Sequence, residues 1–240
     1  KSGSDYIITN TFRTTPRAFK KTGLSIKQAY NNSKKSFDLA IESAKKASNK
    51  KIPILGSIAP LEDCYLSESF PGEKEASKEF EEIGEWFDEK KIDYFLLETM
   101  NSIKETKICL QAIEKFNTPI WVSFNLLNSN QIRSGENLLT AINMVKKFPV
   151  NCLLLNCNPL DRTLNALKII KKNWELKWGI YPNLGIGEPS PNGIINNYCS
   201  NKDFLNLIIQ SITLGTNIIG GCCGASPKHI RLIKKIIQRN

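Results

Sequence analysis

A chain of 240 residues, 41% hydrophobic and 23% charged, can bury one substantial core but is too short for two domains of ordinary size, so residues 1–240 are expected to form a single domain. No run of roughly 18 apolar residues is present, and the opening KSGSDYIITNTF lacks the basic-then-apolar pattern of a secretory signal, so the expectation is a soluble cytoplasmic protein with no membrane partner. Lys and Arg outnumber Asp and Glu by 33 to 23, but the basic residues come in short groups such as Lys34 and Lys35, Lys146 and Lys147, or Lys234 and Lys235, interrupted by apolar residues at helical spacing. Solvated helix faces account for that pattern, and no nucleic-acid partner is expected.

Taken in chain order, apolar segments rich in Ile, Val, Leu, Phe and Tyr predict strands at residues 6–11, 52–58, 94–98, 120–125, 152–156, 179–182 and 217–220. Amphipathic segments between them predict helices at 26–48, 73–90, 103–115, 138–147, 164–173, 202–214 and 227–238. Strands without polar alternation are covered on both faces, and strands joined through a helix run parallel, because the crossover returns the chain to the same end of the sheet. The fold class is therefore α/β. About seven βα units are legible where a closed (β/α)8 TIM-type barrel needs eight, so the expectation is such a barrel lacking its first βα unit, with the domain N-terminally incomplete. A doubly wound open sheet is the alternative, although no G-x-G-x-x-G or P-loop follows the first strand.

In a parallel barrel the chemistry sits where strands end. The predicted strand ends place Asn10, Thr11, Ser57, Glu98, Thr99, Ser123, Asn125, Asn156, Cys157, Tyr181, Asn183 and the run Gly220-Gly221-Cys222-Cys223-Gly224 on one rim. Three of the seven cysteines fall there, and with His229 the only histidine, any metal must be held mainly by sulfur or carboxylate. Successive side chains of a strand point to opposite faces, so Cys222 and Cys223 reach one ion only where the backbone turns, which the flanking glycines permit. Cys157 is a candidate third ligand. Three thiolates with an exchangeable fourth position make a catalytic zinc site. The other readings are small buried residues, which suits Cys109, Cys152, Cys64 and Cys199, or a redox pair, disfavoured by the strained ring that adjacent cysteines form on oxidation. His229, following Pro227 at a helix start, reads as a capping residue.

The segments TNIIGGCCGASPKHI, LLLNCNPL and SGSDYIITNTF, supported by GSIAP, YFLLET and WVSFN, make the chain resemble the homocysteine S-methyltransferase family along essentially its whole length. The resemblance implies a zinc-containing (β/α)8 barrel that methylates homocysteine to methionine, with ligands at Cys157, Cys222 and Cys223 and no catalytic residue needed beyond the zinc site. The implied donor is an onium compound: S-methylmethionine, S-adenosylmethionine or betaine. Substrate-binding candidates are Asn10, Thr11, Glu98, Thr99, Ser123, Asn125, Asn156, Tyr181 and Asn183. Two departures stand out. The Asp-Gly-Gly-x-Gly-Thr loop with which relatives hold the amino-acid end of homocysteine does not occur in residues 1–240, and Asn128 stands where relatives often have an acid, Glu136 being the nearby alternative. The competing expectations are an inactive zinc-binding barrel fragment, or the homocysteine-binding module of a larger cobalamin-dependent methionine synthase.

Overall fold

The computed structural model describes residues 2–48, 52–187, 195 and 197–238. The elements follow in the order β1 (Ile7–Ile8), α1 (Pro16–Lys20), α2 (Ile26–Ser48), β2 (Ile54–Ile58), α3 (Glu73–Lys90), β3 (Tyr94–Met100), α4 (Ile103–Ile113), β4 (Ile120–Phe124), β5 (Leu126–Asn128), β6 (Gln131–Ile132), α5 (Leu138–Val145), β7 (Val150–Asn156), α6 (Leu160–Asn173), β8 (Lys177–Tyr181), α7 (Asn201–Leu214), β9 (Ile218–Ile219) and α8 (Pro227–Ile237). Seven strands form one sheet in the order β1-β2-β3-β4-β7-β8-β9, and every neighbouring pair is parallel. The sheet curls into a partial barrel with the long helices outside, the α/β class read from the pattern of elements. The two terminal strands are much shorter than their apolar segments, because each has a ladder partner on one side only. The five-residue helix α1 and the hairpin β5–β6 are additions to the expected elements; both lie in loops and are too short to show a period.

Packing separates into an outer and an inner layer. Outward-facing Phe95 and Leu97 of β3 meet helix residues such as Phe87, Ile113 and Phe80 in the main core. Their partners on α2 recur at Ala29, Ser33, Phe37, Ile41, Ala44 and Ser48, the stripe that a 3.6-residue period lays along one helix face. Inside the curl, Leu55, Leu96, Trp121, Cys152, Leu154 and Tyr181 form a second cluster. Fully burying one such large side chain contributes about 1.5–3 kcal/mol, so both layers drive the curl. Because side chains on a strand repeat every second residue, the next inward positions after Leu55, Leu96, Trp121 and Leu154 are Ser57, Glu98, Ser123 and Asn156. The lumen thus changes from apolar to polar toward the C-terminal ends of the strands, where the loops begin.

The last strand reaches its neighbour by close backbone approach. A Cβ placed on Gly179 of β8 would lie 1.8 Å from the carbonyl oxygen of Ile218, so only glycine lets β9 dock. Beyond β9, the amide of Gly220 donates to Ile180 and that of Cys222 to Pro182, which carries the same attachment up to the cysteines. Gly179→Ala is expected to cost about 1–3 kcal/mol through overpacking. Hydrogen exchange at Ile218 and Ile219 should speed up selectively while β3 and β4 stay protected, a pattern readable by mass spectrometry.

Candidate active site

Cys157 follows the last residue of β7 and takes a left-handed backbone, φ 54°, a conformation that a residue with a Cβ holds only under constraint. The constraint is visible. Its amide donates to Tyr181, and its carbonyl accepts from the side-chain amides of Asn183 at 3.0 Å and Asn125 at 3.2 Å. This turn directs its sulfur toward Cys223, 3.3 Å away. The sulfurs of Cys222 and Cys223 are 4.0 Å apart, since the chain turns at once after β9, with Gly224 at φ 79°. All three sulfur atoms lie within 4.8 Å of one another. A tetrahedral ion with Zn–S bonds of ~2.3 Å spaces its sulfurs roughly 3.8 Å apart, so this donor set fits zinc by both chemistry and spacing. Cys157 is buried, Cys222 half-buried and Cys223 exposed, which leaves the cluster accessible from solvent.

Three thiols this close share charge unequally. Cys223 is held far below the usual thiol range by hydrogen bonds from Cys157 and then from Cys222. Cys222 is pushed up because it donates to the other two, and further because its sulfur is partly withdrawn from solvent. Three thiolates together require a cation between them.

Around the cluster the inward polar layer is tightly bonded. Glu98 is buried, accepts from the Ser57 hydroxyl, and accepts from Tyr181 Oη at 3.3 Å. Burial pushes its carboxyl up to about 7, against the pull of those two donors. Tyr181 is buried and its phenol raised, by burial first and then by Glu98. Asn156 ties three strands: its Oδ1 accepts from the Thr99 amide at 2.8 Å and the Ser123 hydroxyl at 2.7 Å, and its Nδ2 donates to Thr99 Oγ1 at 2.7 Å. Thr99 also has a left-handed backbone, φ 57°, at a register shift between β3 and β4, so the Asn156 amide holds a strained bulge.

The model for homocysteine S-methyltransferase matches residues 1–237. The chain belongs to the homocysteine S-methyltransferase family. It is accordingly a methyltransferase, and the family assignment supports methyl transfer to homocysteine. It is similar to homocysteine S-methyltransferase 2 of Zea mays, 26% identical with all of this chain and 78% of the maize protein covered. It is also similar to the betaine-homocysteine S-methyltransferase of Drosophila melanogaster, 25% identical over 99% of this chain and 80% of that protein. Among solved structures, the metallated form of the homocysteine methyltransferase MmuM from Escherichia coli superposes with a TM-score of 0.83 at 22% identity, covering 98% of this chain and 80% of that one. That likeness shows the same barrel fold.

Within this member of the family, the rim residues read from the sequence separate by what they already hold. Cys157, Cys222 and Cys223 come together, and Glu98, Ser123, Asn156 and Tyr181 form one buried network beneath them. Asn125 and Asn183 grip the Cys157 carbonyl. Thr11 bonds Thr9 and the Ser57 carbonyl, whereas Asn10 is exposed at the top of β1. Asn128 is exposed and bonded to Gln131, and Glu136 accepts from the Ile103 amide and the Ser134 hydroxyl. His229 forms a capping box with Ser226 at the start of α8. Cys109 and Cys152 are buried and unbonded to the cluster.

One neighbour of the cluster was missed from the sequence. Tyr65, in the loop between β2 and α3, brings its hydroxyl to 3.5 Å from the Cys157 sulfur, and the Arg133 guanidinium lies 5.1 Å from its ring centroid. Burial, then the proximity of Cys157, raises its phenol. The available signal was an aromatic residue in a long loop on the C-terminal rim, but loop length does not show which way the loop folds. Asn156→Ala leaves the buried Thr99 amide without an acceptor and is expected to cost about 1–3 kcal/mol. Chemical denaturation should register that loss, with slower exchange retained in β7 itself.

Proposed function

We propose that the protein transfers a methyl group from an onium donor, namely S-methylmethionine, S-adenosylmethionine or betaine, to the thiol of homocysteine, with zinc held by Cys157, Cys222 and Cys223. The observation that carries the reading is the convergence of three sulfurs, from the end of β7 and the turn after β9, on a rim with one exposed member. Zinc on such a set supplies Lewis acidity that keeps an added thiol deprotonated, and so nucleophilic, at neutral pH.

The chain's own residues orient the reaction. The substrate thiolate attacks the donor methyl in line. A carbon–sulfur bond forms, and the bond from methyl carbon to the donor's sulfonium or ammonium atom breaks with its electron pair retained by the donor. The thiol proton leaves to solvent beforehand, so no general base is required of the protein. Glu98 receives the homocysteine ammonium: that cation favours the ionised carboxylate, while Ser57 and Tyr181 fix its two oxygens. Tyr65 offers an aromatic surface beside Cys157, suited to an onium methyl through cation–π attraction. Asn10, Thr11, Thr99, Ser123, Asn125, Asn156 and Asn183 complete the collar, the last three chiefly by keeping strand ends and the Cys157 carbonyl in place. Zinc held by the three cysteines would bind the thioether of product methionine more weakly than the thiolate of homocysteine, which would favour product release.

Metal analysis of the purified protein should find about one zinc per chain, with Cys157→Ser, Cys222→Ser and Cys223→Ser each losing it and Cys109→Ser retaining it. A zinc-free wild-type protein that still methylates homocysteine would sink the reading. Glu98→Gln keeps the hydrogen-bond geometry but not the charge. It should raise the homocysteine KM about tenfold to a hundredfold with zinc content unchanged, as measured by methionine formation. The open edges of β1 and β9 favour one second reading, a metal-binding barrel without turnover. Zinc retention with no methionine formed from any of the three donors would identify it.

A further inference from the structure

The loop that carries Cys222 and Cys223 is fastened along its length. At its near end the Cys222 amide donates to Pro182 at 2.8 Å, and in its middle the Cys223 carbonyl accepts from the Leu184 amide at 2.9 Å. The Cys222 carbonyl accepts from the Ala225 amide at 2.9 Å, which closes the turn. At the far end the Ser226 amide donates to Nδ1 of His229 at 3.0 Å, and the Ser226 hydroxyl lies 3.0 Å from the same nitrogen. The other ring nitrogen, Nε2, is 3.1 Å from Oδ1 of Asn201, the first residue of α7. A backbone N–H only donates and a carboxamide oxygen only accepts, so the ring is neutral, with its lone pair at Nδ1 and its proton at Nε2. The ring also stands edge-on to Phe204, with centroids 5.6 Å apart and planes at 85°. Phe204 is buried and lies beneath Gly221, its Cζ 3.8 Å from where a Cβ on that glycine would stand.

A capping box ordinarily has Glu or Gln at the third helical position, where a side-chain oxygen accepts from the N-cap amide. Imidazole at this position does two further things. Through Nε2 it bonds a second element, so the start of α8 is tied to the start of α7, and it can take up a proton. A proton at Nδ1 sets donor against donor at the Ser226 amide, and the positive ring then faces the positive end of the α8 macrodipole. We propose that His229 is a positioning residue for the sulfur cluster: the neutral ring anchors the far end of the Cys222–Ser226 loop to α7, and protonation at Nδ1 releases that end. The charged and titratable side chains around the ring are Lys202 and Asp203 on α7, Lys228 and Arg231 on α8, and Cys222 and Cys223 in the loop. Asp203 accepts from the Ser200 hydroxyl at 2.6 Å, and among the described residues Ser226 and Asn201 alone hydrogen-bond the ring. The consequence for metal rests on zinc binding at Cys157, Cys222 and Cys223, as proposed; the consequence for the loop stands on these bonds alone.

Hydrogen exchange of the metal-free, reduced protein reads the loop through the amides of Leu184 and Ala225. At about pH 8 their protection should fall about tenfold in His229→Ala and about threefold to tenfold in Asn201→Ala, with β3 and β4 unchanged. Zinc affinity, measured by competition with a chelator, should weaken by similar factors. His229→Gln keeps an acceptor for the Ser226 amide but does not titrate. Its loop protection should hold steady from about pH 8 to about pH 5.5, whereas the wild-type protein loses about tenfold over the same span. Zinc affinity should likewise fall more steeply with acid in wild type than in His229→Gln, by up to about one proton. Parallel pH profiles for those two proteins would overturn the inference. So would a frayed α8 with Leu184 and Ala225 still fully protected in His229→Ala, since that is the signature of a plain helix cap. A wild-type protein that binds no zinc would count against the metal site instead, and exchange in the metal-free protein would still decide the role of His229.

Discussion

Two carboxamides, from Asn125 and Asn183, close on the carbonyl of Cys157 and hold that residue in a left-handed turn at the end of β7. The position of one sulfur follows from this grip, and the position of the cluster follows from the sulfur. In an ordinary extended continuation the side chain would alternate with its neighbours across the sheet; the turn instead swings it toward the loop after β9. That loop arrives from a strand docked by the close approach of Gly179 to Ile218. Two local departures from regular strand geometry, far apart in the chain, therefore have to be right together for three thiols to meet.

Beneath the cluster, the same alternation that makes the core also makes the site. Inward positions are apolar for one layer and polar for the next, and the polar layer is cross-linked by its own hydrogen bonds rather than left open. A carboxyl so placed is costly to ionise, as the rise of Glu98 to about 7 records. The cost falls when a cation arrives, which couples substrate charge to the state of the site. A rigid, mutually bonded layer also limits how far the strand ends can drift, and a metal site tolerates little drift in its ligands.

The unpaired edges of β1 and β9 belong to the same physical picture. A curled parallel sheet pairs its backbone fully only when it closes, and among the described residues β1 and β9 each have a ladder partner on one side only.

Much of this was legible in one dimension. Apolar runs separated by amphipathic ones specify parallel strands and outer helices, because burial on both faces and the geometry of the crossover leave few alternatives; the strand ends then mark the rim, and GGCC with an upstream Asn-Cys marks the sulfur on it. The lengths of β1 and β9 were not legible, since an edge strand extends only as far as its single neighbour pairs with it. Neither was the division of the asparagines between substrate collar and backbone clamp, because an amide side chain looks the same in sequence whether its partner is a ligand or the Cys157 carbonyl. Tyr65 was hidden for a related reason: it reaches the cluster through a loop whose path depends on contacts such as Arg17 with Glu62 and Arg133 with Tyr65 itself. Chain order and hydrophobic period thus determined which residues share a rim. Only the tertiary structure decided which of them touch, because contact across the rim depends on left-handed turns and close backbone approaches that carry no periodic signal.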